Sequence, residues 1–256
     1  LGCILAPVIV GNFLFSNANA DISFPYTIMG ISVLVLAAIF SKIKLPEIND
    51  TTERHPKSSS NDTQSITNTI KHLWGIKRFR IGITALLCYE IAEISINSLF
   101  INYATSDGWM EKSTASIVLS FGALSLFMIA RVAGSWIMSK IAAEKVLLVC
   151  SMVTIIGALV VSLNIGILSK CGLFACYAFE AIMFPTIFAI TISGIGDYIK
   201  IASSLLMMTP IGGAIGTFLM GWVADNTSIS TAFIIPTFGY AFVFVYAFYI
   251  LKQSHK

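Results

Sequence analysis

The segment PEINDTTERHPKSSSNDTQSITNTIKHLWGI, residues 46–76, decides how this chain is organised, because it is the one long interruption in an otherwise apolar sequence. From Pro46 through Asp50, Glu53, the Ser58 to Ser60 run and Asn61 it is polar and lacks helical periodicity, which is the composition of a linker. From about Ile66 the pattern changes. Ile66, Ile70, Leu73 and Trp74 recur at helical spacing beside Lys71, Lys77 and Arg78, which predicts a short amphipathic helix lying at the headgroups of a bilayer.

On both sides of this segment the chain needs lipid as its solvent. Apolar types make up 56% of the 256 residues and charged types 11%, whereas a soluble domain carries about 25% charge. A backbone in lipid has to satisfy its own hydrogen bonds, so it crosses as helices or as a closed barrel. Barrel strands alternate polar with apolar, and the runs here are continuous, so the fold class is an all-α polytopic membrane protein. By the criterion of about 20 mostly apolar residues per span, there is a truncated span at 1–16 and a second near 24–41. After the linker come spans near 81–104, 115–139, 146–164, 171–193, 201–223 and 232–251, making about eight transmembrane helices. Two spans before a long loop and six after it read as the end of one six-helix half and all of a second. The expected organisation is therefore residues 1–45 as the last two helices of an N-terminal half, 46–78 as a cytoplasmic linker with its amphipathic helix, and 79–256 as a C-terminal six-helix half. On that reading four spans precede Leu1, whose own stretch carries no basic segment of a signal peptide.

Basic residues orient the bundle, since cytoplasmic loops carry the Lys and Arg excess. If Leu1 enters from the cytoplasm, 14 of the 16 Lys and Arg lie inside and only Lys112 and Lys170 outside. One miscounted span would swap every later loop and destroy that division. The C-terminus is thus expected in the cytoplasm of a multi-pass protein of the cell (inner) membrane, with lipid as its surroundings. The net charge of +3 is a topology signal and does not point to nucleic acid.

Enzyme chemistry finds no support. His55, His72 and His255 all fall outside the spans, and neither H-E-x-x-H nor G-x-S-x-G occurs. Cys3, Cys88, Cys150, Cys171 and Cys176 lie in or at the edges of spans without metal-ligand spacing, as small buried hydrophobes do. No catalytic residue, metal or cofactor is expected.

The informative residues are ionisable groups inside the spans, because a charge at mid-bilayer costs roughly 2.5 to 3.5 kcal/mol even on the lenient insertion scale. There are three: Glu90, Glu93 and Glu180. Glu90 and Glu93 share a helix face, and Asn97 extends that stripe, which is expected to face a cavity. Glu180 precedes a helix break at Phe184-Pro185, where the proline removes a backbone donor and frees a carbonyl. Broken helices near mid-membrane are places where solutes bind. With no basic residue expected at the same depth, such carboxyls can carry protons.

The wording of several segments carries a specific resemblance. Ile182-Met183-Phe184-Pro185-Thr186-Ile187-Phe188 resembles the tenth-span signature of the fucose/glucose/galactose:proton symporters of the major facilitator superfamily. Leu1-Gly2 with Ala6-Pro7 resembles that family's fifth span, and Tyr89 through Tyr103, with Ala92-Glu93, Ser95, Ser98 and Asn102, its seventh. Arg131-Val132-Ala133-Gly134 resembles the end of the eighth span. Ser203-Ser204-Leu205 with Ile211 to Ile215 resembles the eleventh, closing on Ala224-Asp225. The match covers nearly the whole chain and leans to the glucose/galactose branch.

The resemblance implies a major facilitator fold, here its spans five to twelve, and import of a monosaccharide with protons by alternating access. The implied partners are a small sugar and a proton, and the implied state is a monomer. The other readings are a sugar sensor without coupled transport, or a facilitator of another polar solute. Glu93 matches an acidic position of the glucose/galactose branch. Glu180 stands where that branch has Asn, and Glu90 where it has a small apolar residue. Asn12 matches a fifth-span amide that contacts sugar, and Phe184 an aromatic position of the tenth span. Amides and aromatic faces suit a neutral polyol. The Arg131 to Lys145 stretch, with Arg131, Gly134 and Lys140, resembles the superfamily's basic gating loop. Gly212, Gly213 and Gly216 form a small-residue seam for close helix packing. The family's best-known proton-carrying acids belong to its first and fourth spans.

Overall fold

Among the described residues each apolar run becomes a helix, since in lipid only a helix satisfies every backbone group within its own segment. The computed structural model describes residues 23–42, 62–106 and 108–254. The stretch 1–16 with Asn12, the linker through residue 61, and His255 lie outside the described residues. Within them the helices are α1 (Ser23–Lys42), α2 (Asp62–Gly75), α3 (Lys77–Ser106), α4 (Lys112–Met138), α5 (Ala143–Ser162), α6 (Gly166–Ile192), α7 (Gly196–Asn226) and α8 (Thr231–Gln253). No strand occurs among the described residues.

By length and composition α4 to α8 are the 5 described helices able to cross a membrane. Helix α3 has ample length, 30 residues, but Glu90, Glu93 and Asn97 dilute its apolarity. Large apolar side chains stand exposed along the outer faces, including Phe121, Ile129 and Val132 of α4, Ile167 of α6, Phe218 and Trp222 of α7, and Phe238 of α8. A surface of that kind is at home against acyl chains.

Inside the bundle α8 packs on α5 and α3, α5 on α6, and α7 on α3, while α4 lies against the first half of α6. The largest fully buried side chains are Tyr89, Tyr177, Tyr240 and Tyr246. Glycines set the closest approaches. A Cβ at Gly212 would stand 2.7 Å from the Leu87 carbonyl oxygen, and one at Gly213 or Gly216 would collide with Ile94 or with Ile91 and Ser95, all on α3. The seam of α7 is therefore spent on α3. The turn between α6 and α7 uses left-handed backbone at Gly194 and Gly196, with φ of 80° and 64°.

Three of the spans are irregular. Helix α4 contains a π segment at Val118–Leu124, where Ser125 Oγ donates to the Ser120 carbonyl at 3.2 Å. Helix α6 is interrupted at Ala181 and Ile182, between Gly166–Glu180 and Met183–Ile192. Helix α7 is interrupted between Leu206 and Ile211, around Pro210, a break that the apolar pattern of its span concealed. The amphipathic helix α2 buries Leu73 completely and leaves Trp74 exposed.

Candidate functional site

The break in α6 follows from Pro185. Its ring nitrogen has no hydrogen, so the Ala181 carbonyl four residues earlier loses its helical donor. Side-chain hydroxyls bond the carbonyls on either side of it. Thr186 donates to the Ile182 carbonyl through its Oγ1 at 2.6 Å, and the Tyr89 hydroxyl, arriving from α3, donates to the Glu180 carbonyl at 3.1 Å.

Glu180 is the last residue of the first half of α6, and its side chain is enclosed, with 0% exposure. Its Oε2 accepts from the Tyr240 hydroxyl of α8. Its Oε1 and the Tyr177 hydroxyl, one turn apart on α6, are buried with no partner among the described residues. The expectation that Glu180 lines a solute cavity is thus not met in this conformation: it lies behind Tyr89, between α3, α6 and α8. Phe184 is half-buried and stacks on Phe188 with ring centroids 6.2 Å apart, while Tyr89 packs 6.3 Å from it.

On α3 the three polar residues separate. Glu90 is buried, and Glu93 and Asn97 are half-buried. Asn97 Oδ1 has no partner among the described residues. Arg131 lies within α4, which continues to Met138, two further turns, in keeping with the span read at 115–139. Arg131 lies over the Phe127 ring at 5.6 Å and is exposed, as is Lys140, whose Nζ sits 4.1 Å from the Trp136 ring. Gly134 is buried, and a Cβ there would collide with Ile182 at the break of α6. At the opposite end Lys170 sits 4.7 Å from the Trp109 ring.

The structure therefore brings Tyr89, Glu180 and Tyr240 into one buried chain of polar groups. Glu93 and Asn97 follow at one-turn intervals along α3 from Tyr89, both half-buried. Tyr89, Tyr177 and Tyr240 had not been singled out from the sequence as functional. The signal was available, since a tyrosine inside an apolar span needs a partner for its hydroxyl. No group of three or more His, Cys, Asp or Glu arranged to hold a metal occurs among the described residues.

No protein-family model matches the chain. It is 30% identical over 226 residues to the L-fucose-proton symporter of Escherichia coli, covering 87% of this chain and 50% of that protein. It is 31% identical over 265 residues to a glucose/galactose transporter of Brucella abortus, covering 99% and 61%. The crystal structure of the major facilitator superfamily transporter FucP in the outward conformation matches with a TM-score of 0.70 at 31% identity, over 89% of this chain and 54% of that one. The chain has the fold of the major facilitator superfamily and is similar in sequence to its fucose and glucose/galactose transporters. As a member of that superfamily it is a multi-pass membrane protein of transporter fold and not an enzyme. It spans 50% to 61% of the length of these curated relatives.

Proposed function

We propose that this chain is part of a secondary transporter that imports a monosaccharide of the fucose, glucose or galactose type together with protons, by alternating access. The observation that carries the reading is the match, along almost the whole chain, to relatives named for sugar transport, joined to a carboxyl chain inside the bundle. Glu93 is the proton-handling candidate of this half. It is half-buried and lies one turn along α3 from Tyr89, whose hydroxyl reaches the break of α6. Asn97, one turn further along α3, is half-buried and has an amide oxygen without a partner among the described residues, and Phe184 offers an aromatic edge. Proton and sugar then bias the same two-state equilibrium, which is what coupling requires. The protein works as a monomer in the cell (inner) membrane with its C-terminus in the cytoplasm.

The test is reconstitution of the full-length protein into liposomes. Labelled fucose, glucose and galactose are offered under an imposed proton gradient, with a sodium gradient as control. Accumulation of one of them with the proton gradient alone is the expected result. Binding without counterflow would identify a sensor, and counterflow without accumulation a facilitator.

A further inference from the structure

Of the three intramembrane glutamates only Glu180 is wholly enclosed, and the hydroxyls that bond it come from α3 and α8. Further protein packed on the outside of these helices can only add cover. Its two connections leave α6 in different directions: the side chain to Tyr240 on α8, the main-chain carbonyl to Tyr89 on α3. Both tyrosines are fully buried, so neither hydrogen bond competes with water. They meet at the last residue before the interruption, the point that determines how the two halves of α6 are angled. Two buried atoms one turn apart, Tyr177 Oη and Glu180 Oε1, have no partner among the described residues. This end of α6 consequently has hydrogen bonds to gain by shifting, as an element with two arrangements must.

We propose that Glu180 is a positioning residue that, through Tyr240 and Tyr89, pins the break of α6 to α8 and α3 and so controls the movement between the two openings, without touching sugar. This rests on the transporter reading above. A sugar ligand would have to be reachable from a cavity, and Glu180 is not. A carboxyl is suited to the task because it reaches the Tyr240 hydroxyl and keeps a second oxygen for another arrangement.

The experiment uses the full-length protein in proteoliposomes with the variants Tyr240→Phe, Glu180→Gln and Glu180→Leu. Sugar binding, equilibrium exchange and proton-driven accumulation are measured for each. Tyr240→Phe and Glu180→Leu are expected to slow exchange and accumulation together by roughly tenfold, the equivalent of one buried hydrogen bond lost from the moving state, with sugar affinity unchanged. Glu180→Gln keeps an acceptor for Tyr240 and is expected to retain exchange and accumulation.

Three outcomes overturn the proposal. Loss of accumulation with intact exchange in Glu180→Gln would make Glu180 a proton carrier. A weakened sugar affinity with normal exchange at saturation would make it a sugar ligand. Wild-type behaviour of Tyr240→Phe would remove the contact from the mechanism. Hydrogen exchange of the amides around Ala181 and Ile182 reads the pin without transport and is expected to rise in Tyr240→Phe. Should the wild type exchange none of the three sugars, the transport reading fails while this measurement still judges the pin. If Tyr240→Phe does not fold, the Glu180→Gln pattern decides.

Discussion

Gly157 of α5 and Gly172 of α6 face each other with nothing between their backbones: a Cβ on Gly157 would stand 2.8 Å from the Gly172 carbonyl oxygen, and one on Gly172 would stand 2.9 Å from that of Gly157. Lipid tails are as apolar as the helices, so contact depth and close packing have to hold spans together. Either glycine replaced by valine is expected to force the helices apart at a cost of about 1–3 kcal/mol. The midpoint of thermal unfolding in detergent checks this. Gly221→Ala, where a Cβ meets nothing within 4 Å, is the control and is expected to unfold like the wild type.

A second prediction concerns Glu93. An amide keeps the shape and the hydrogen-bonding reach of the carboxyl but cannot take up and release a proton. Glu93→Gln in the full-length protein is expected to lose proton-driven accumulation while sugar exchange stays measurable. Accumulation at the wild-type level would remove Glu93 from the coupling mechanism.

The pair Thr191 and Tyr246 predicts an asymmetry. Thr191 Oγ1 donates its one hydrogen to the Ile187 carbonyl at 2.6 Å, so in the 3.0 Å contact between the two hydroxyls Tyr246 is the donor. Tyr246→Phe removes that donor and leaves Thr191 bonded, for a loss of about 0.5–1.5 kcal/mol. Thr191→Val strands the buried Tyr246 hydroxyl and is expected to cost more, about 1–3 kcal/mol. Unfolding midpoints in the same order would agree; the reverse order would refute the assignment of donor.

Orientation is open to direct measurement. With Cys171 changed to serine, a cysteine at the exposed position of Lys140 is expected to react with an impermeant maleimide only from the cytoplasmic side. One at Lys112 is expected to react only from outside. Labelling of both from the same side would invalidate the topology.

The helices were legible because hydropathy is local. Ends read near 115–139 and 146–164 lie within a few residues of Lys112–Met138 and Ala143–Ser162. The break of α6 was legible as well, since Pro185 acts through its own covalent structure. The break of α7 was not, because a span average hides two interrupted turns around Pro210. Glu180 was read as a candidate for a solute site, and the structure encloses it. The interruption and the arrival of Tyr89 and Tyr240 turn it into the bundle, and neither tyrosine is near it in sequence.

By itself, then, the sequence determined the solvent, the helices and the acids within them, because each of these is set by single helices against lipid. The tertiary structure alone decided which acid is reachable and which is locked away. That choice depends on the rotation of each helix and on partners brought in from other spans, and lipid, indifferent to apolar faces, does not fix a helix's rotation.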